Sequence, residues 1–202
     1  MKTVSHLPLP RASASLIKRA ALRLHKLVSG GQTGADRAAL LWALTRGIPV
    51  GGWAPKNLWA EDGCVPRHLG LRETPSSSLA QRTQWNVRDS DATVLFTPLA
   101  QPHGGSRLTA QCSSRLRRPL LHLHGEESPQ AVQQLTRFLL LNKPRVLNVA
   151  GDRASSAPAI ADWVGAVLDL ATCPRHARRT IRAIPAKRPS DAEDRLRHSA
   201  GR

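Results

Sequence analysis

The stretch from Leu27 to Leu44, LVSGGQTGADRAALLWAL, constrains the fold more than any other part of the chain. An apolar lead-in, Leu27 and Val28, runs into Ser29-Gly30-Gly31-Gln32-Thr33-Gly34, and from Ala35 a helical pattern carries Leu40, Leu41 and Leu44 on one face. The pattern predicts a strand, a glycine loop and a helix. Three glycines within five positions let the backbone turn tightly and approach a ligand without Cβ clashes. The helix start directs unpaired N–H groups and a positive dipole end at that ligand. The expected guest is an anion, most simply a phosphate. The loop matches neither the dinucleotide fingerprint, since Gln32 stands where the second glycine of GxGxxG would be, nor the Walker pattern, which needs GK[ST]. A strand-to-helix turn that merely requires glycines is the competing reading of this stretch taken alone.

The rest of the chain repeats the same alternation. Gly47 is a stop for the first helix, Ile48 to Trp53 reads as a short second strand, and residues 54–75 read as a long polar loop closing on an extended Leu71-Arg72-Glu73. Ser76 to Ser78 can cap a helix reaching about Asp89, and Ala92 to Phe96 is an apolar run suited to a buried strand. Pro98 to Gly105 is a loop ending in HGGS before a helix over Arg107 to Leu116. Then follow a strand over Pro119 to Leu123, a helix over Ser128 to Asn142, a strand over Arg145 to Val149 and a helix over Ala157 to Thr172. Strands alternating with helices predict a single α/β domain with a mostly parallel sheet, covered on both faces by helices and open to ligands at the strands' carboxyl ends. The loops expected on that edge are Ser29–Gly34, Trp53–Gly63, Thr97–Gly105, His122–Gly125 and Ala150–Arg153. Two of them hold glycine pairs, Gly30-Gly31 and Gly104-Gly105, each able to present N–H groups to an anion.

The net charge of +16 suggests nucleic acid until it is divided along the chain. Residues 1–26 hold six Lys/Arg and no acid, and residues 172–202 hold nine Lys/Arg against three acids, whereas residues 27–171 hold 15 against 11. The basicity belongs mainly to the two ends. Contact with nucleic acid is therefore expected only through basic tails, with a flexible extension over 1–26, a ligand-binding domain over 27–171 and a disordered tail over 172–202. No apolar run approaches the roughly 18 residues that cross a bilayer, so no membrane partner is expected. The three cysteines, Cys64, Cys112 and Cys173, form no CxxC pair, which fits a reducing cytoplasm and disfavours a disulfide framework or zinc site.

The wording of the motifs resembles a known family. SGGQTGADRAAL (Ser29–Leu40), GIPVGGW with APK (Gly47–Lys56), AEDG (Ala60–Gly63), ETPSS (Glu73–Ser77), AQRTQWNVRDSDAT (Ala80–Thr93), GGS with LT (Gly104–Thr109) and RVLNVAG (Arg145–Gly151) are similar to the molybdenum cofactor carrier family. This is the circularly permuted YpsA-like branch of the SLOG superfamily. The resemblance implies a Rossmann-like sheet and a homo-oligomer. It also implies that the glycine loops hold molybdenum cofactor as cargo, or a nucleotide-like ligand. It carries over a ligand-contacting set of Gly30, Gly31, Gln32, Thr33, Gly34, Asp36 and Arg37, then Trp53, then Arg82, Thr83, Asn86 and Asp89, then Gly104, Gly105, Ser106 and Thr109.

Several of these can be weighed on their own chemistry. Arg82 and Asn86 stand four residues apart and share a helix face, so Arg82 can fork onto a phosphate while Asn86 orients a polar head. Asp89 and Asp91 precede a buried strand and can instead cap turns. Trp53 can stack on a flat heterocycle or pack as a lid on the core. Where the resemblance implies basic residues before AEDG, Leu58 and Trp59 stand here. Gln111 stands where phosphoribohydrolases of the wider superfamily place an essential glutamate, and an amide exchanges no proton near neutral pH. No catalytic residue and no metal ligand set is expected. His122 and His124 lack further ligands, and Glu61 and Asp62 are merely adjacent. A nucleotide-processing enzyme of the phosphoribohydrolase kind, or a generic nucleotide-binding protein, is the alternative to a carrier.

Overall fold

The computed structural model describes residues 24–125 and 128–172. The basic extensions read from the sequence lie, apart from residues 24–26 and 172, outside them, as does Cys173. Five strands form one sheet, β1 (Lys26–Val28), β2 (Val50–Gly51), β7 (Ala92–Thr97), β8 (Leu120–His124) and β9 (Val146–Gly151), in the order β2-β1-β9-β7-β8. Every neighbouring pair is parallel. The five helices are α1 (Ala35–Thr45), α2 (Leu79–Arg88), α3 (Gly104–Arg115), α4 (Pro129–Asn142) and α5 (Ile160–Thr172). This is the expected α/β domain with a Rossmann-like sheet. α5 packs between α1 and α4 on one face, while α2 packs on α3 on the other.

β7 is buried along its whole length, as its uninterrupted apolar sequence requires of a strand covered on both sides. Val94 and Phe96 join the larger core, where Phe96 meets Trp163 of α5 edge to face at 5.1 Å. The α2–α3 side is more polar. There the Asn148 amide donates to Thr93 Oγ1 at 3.2 Å.

Three expectations change in detail. α1 buries Ala35, Asp36, Ala39, Leu40, Trp42 and Ala43, whereas Leu41 and Leu44 stay 44% and 38% exposed. Small residues are what the close approach of α1 to β9 and α5 needs, so the leucines alone mislead about the buried face. The polar loop at 54–75 is a folded strap. Its β3 (Trp53–Ala54) and β6 (Arg72–Glu73) pair in parallel, β4 (Trp59–Ala60) and β5 (Gly63–Cys64) form a hairpin, and Val65 and Leu69 are buried. Strands of two residues are too short to show a period in sequence. α3 starts at Gly104 rather than Arg107, so Gly104 and Gly105 form its first turn instead of a loop before it.

β9 feeds α5 on one face and β7 feeds α3 on the other. Between their carboxyl ends the chain switches direction, which is where an open parallel sheet leaves a crevice.

Candidate functional site

That crevice is a cavity of about 490 Å3, within the range of small-molecule sites. One wall is Gln32 and Asp36 at the start of α1. The second is Leu79, Arg82 and Thr83 of α2, and the third is the first turn of α3, from His103 to Thr109. The floor and rim are the end of β9 and the turn after it, Ala150 to Ser156.

The structure brings together half of the expected set. Gln32, Asp36, Arg82, Thr83, Gly104, Gly105, Ser106 and Thr109 line the cavity. Arg82 Nη1 donates to Asp36 Oδ2 at 3.1 Å, with the two side chains 13% and 3% exposed. Burial pushes the Asp36 carboxyl above the ordinary carboxylate range, and the Arg82 guanidinium opposes that shift. Arg82 Nε is enclosed without a partner among the described residues, whereas Nη2, which makes no hydrogen bond there and is not enclosed, is the donor left for a ligand. Thr83 and Thr109 donate their hydroxyls one turn back, to Leu79 and Gly105 carbonyls.

The other half of the set stands behind the walls. A Cβ on Gly30 would overlap the Arg82 guanidinium, so this glycine makes room for the ion pair. Gly31, at φ +74°, lies under Val65 and Leu71 of the strap, and Gly34, at φ +75°, lies against the Asp152 carbonyl. Several of the donors in and beside the loop are engaged as well. Gln32 N donates to Asp36, Thr33 N to Gln32 Oε1, and Ala35 N to the Asp152 carbonyl. Arg37 pairs with Asp62 and donates to the Gly31 carbonyl at 3.1 Å. Thr33 donates to Glu61, which also accepts from the Ser155 hydroxyl at 2.6 Å, and these bonds, Ser155 first, hold the Glu61 carboxyl below its usual range. Glu61 and Asp62 thus fasten the strap to the glycine loop.

Asn86 is buried with both ends of its amide on the Trp53 backbone, at 2.8 and 2.9 Å. Trp53 itself carries the Arg72 guanidinium over one face at 4.1 Å, the Trp85 ring edge-on at 4.6 Å and Asp89 on its indole N–H at 2.7 Å. It does not line the cavity. Asp91 caps the start of β9 through the N–H groups of Arg145 and Val146. Gln111 is exposed on α3 and outside the cavity wall. His122 shares a 2.6 Å hydrogen bond with Thr97, and burial lowers its pKa. Among the described residues no three His, Cys, Asp or Glu converge as metal ligands, and no helix is long and apolar enough to cross a membrane.

The two glycine-bearing helix starts therefore differ. α1 has Asp36 in its first turn and the Asp152 carbonyl on its first N–H, whereas His103 gives α3 no side-chain cap and its first turn holds no acid. The helix start that faces the cavity without a cap of its own is that of α3, where the nearest carboxylate, Asp152, accepts from the Ser106 hydroxyl and leaves the Gly104 and Gly105 N–H groups unpaired among the described residues. Residue-level reading missed Asp152, Arg153, Ser155 and Ser156, which line the cavity from the turn after β9. Strand order alone marked that loop.

The Circularly permutated YpsA SLOG family matches residues 27–172. Among solved structures, the crystal structure of a "Putative molybdenum carrier protein" from Syntrophus aciditrophicus SB is similar at 37% identity, covering 75% of this chain and 96% of that one with a TM-score of 0.71. No curated protein matches.

Proposed function

For a chain that thus belongs to the Circularly permutated YpsA SLOG family, we propose a binding and carrier function, with a phosphorylated heterocycle taken into the crevice between β9 and β7. The observation that carries this reading is the uncapped first turn of α3 facing Arg82 across one cavity. Backbone N–H groups of Gly104 and Gly105 and the unused donors of the Arg82 fork supply charge-assisted hydrogen bonds to a phosphate. The volume of about 490 Å3 admits a fused ring as well as the phosphate.

Molybdenum cofactor, a pterin bearing a terminal phosphate, is the favoured cargo. The name of the structure from Syntrophus aciditrophicus supports that choice, and a nucleotide-like ligand has the same two parts. Holding suits the site better than transfer. The first glycine loop lacks the lysine and hydroxyl of a P-loop, and the acids beside it are engaged, Asp36 of α1 with Arg82 and Glu61 of the strap with Thr33 and Ser155.

Small molecules released by denaturing the purified full chain, separated and identified by mass spectrometry, test the proposal. A phosphorylated pterin, its oxidation product or a nucleotide is expected at a substantial fraction of the protein concentration. The reading is wrong if no such compound is released and the emptied protein takes up neither added pterin phosphate nor nucleotide.

A further inference from the structure

Asp152 is a carboxylate whose surroundings do not account for it. It is 9% exposed and lines the cavity, and its main chain is fully engaged, the N–H with the Phe96 carbonyl at 3.2 Å and the carbonyl with Ala35 N–H at 3.2 Å. Its side chain takes one hydrogen bond, from Ser106 Oγ to Oδ1 at 2.6 Å. Among the described residues no Lys, Arg or His nitrogen lies within 4.0 Å of either oxygen. The Arg82 guanidinium of the same cavity pairs through Nη1 with Asp36. Two carboxylate oxygens offer about four acceptor positions, so most of this group's capacity is unfilled while most of its water is gone. Such burial is unfavourable unless donors complete it.

The turn that holds Asp152 is rigidly placed. Its carbonyl abuts Gly34, where a Cβ would come within 2.5 Å of that oxygen, and Ser106 links the carboxylate to the first turn of α3. The carboxylate therefore lines the cavity at a fixed point beside the first turn of α3.

We propose that Asp152 is the specificity residue of the crevice, its carboxylate accepting the adjacent ring N–H and exocyclic amine of a 2-amino-4-oxopyrimidine edge. Guanine and pterins share that edge. Two donors side by side match two carboxylate oxygens, as an Arg fork does. An adenine presents a ring acceptor there, which leaves the carboxylate unpaired and repelled, and a site built to pair with donors rejects a ligand lacking them strongly. The inference rests on the proposed function, since it assigns the ring end of the same ligand.

Titration calorimetry of the emptied full chain with GMP, IMP, AMP and a 6-substituted pterin monophosphate tests it. The protein is expected to bind GMP or the pterin phosphate at least about tenfold more tightly than AMP, with IMP between them because it keeps only one donor. The tighter of the first two identifies the source of the edge. Asp152→Asn should bring the four affinities to within about threefold of each other. AMP binding as tightly as GMP and the pterin phosphate overturns the inference and leaves the carrier function standing, as does an unchanged ranking in Asp152→Asn. Failure of all four to bind removes the carrier function itself and this inference with it. The wild-type ranking decides the matter should the Asn variant not fold.

Discussion

Replacing Arg82 with Met is expected to lower stability by about 3 kcal/mol at neutral pH, because it strands the 3%-exposed Asp36 carboxylate without its cation. The pH dependence identifies the cause. Burial already raises the Asp36 pKa in the folded state, so the folded protein holds that proton more tightly than the unfolded chain does. The stability from protonation is present below the ordinary carboxyl range and is lost as pH rises through the raised value. Removing Arg82 removes the opposing influence, moves that loss to higher pH and enlarges it. The difference in melting temperature between wild type and Arg82→Met should be widest near neutrality and shrink on acidification toward about pH 4. A difference independent of pH would mean that Arg82 acts through packing alone. The same variant should bind a phosphorylated ligand roughly tenfold to hundredfold more weakly, the worth of a charge-assisted hydrogen bond.

Gly34→Ala is expected to be at least as damaging to the fold. Gly34 has φ +75° and ψ −128°, a conformation that only glycine adopts without strain. A Cβ there would stand 2.5 Å from the Asp152 carbonyl oxygen and 2.7 Å from Ala154 N. Neither backbone atom can rotate aside, so the turn after β9 must shift or α1 must loosen, at roughly 3 kcal/mol or more. Gly47→Ala is the control. Gly47 also has positive φ, +66°, but a Cβ there meets nothing within 4 Å, and about 1 kcal/mol of backbone strain is the whole expected cost. Thermal unfolding of the two variants separates them, and equal losses would show that conformation rather than close packing makes Gly34 indispensable.

The contrast between these glycines explains what the sequence could and could not disclose. Alternating apolar strands and helices were legible because each β/α unit has its own period and its own start or stop signals, Gly47 ending α1 and Ser128 capping the start of α4 among them. The strap at 54–75 was not, because its strands are two residues long and its burial comes from single residues, Val65 and Leu69. Glycine spacing located the turn between β1 and α1 but could not say what approaches each glycine. In the structure the neighbours are Arg82, Val65 with Leu71, and the Asp152 carbonyl, all parts of the protein itself. Asn86 likewise has the right polarity for a ligand, and only the fold shows both ends of its amide spent on Trp53. Asp152 is the converse, an acid in no recognisable motif that the end of β9 delivers to the cavity.

Placement of the anion at the first turn of α3, rather than at the first glycine loop, is tested most directly by Gly105→Asp. A Cβ at Gly105 meets nothing within 4 Å, and Asp in the first turn of a helix favours the fold by a few tenths of a kcal/mol, so the variant should melt no lower than wild type. Its carboxylate would occupy the positive end that the phosphate needs. Calorimetric titration with the ligand recovered from the wild-type protein should show affinity reduced on the order of a hundredfold, about 2.7 kcal/mol, in a fully folded variant. Wild-type affinity in folded Gly105→Asp would contradict the assignment.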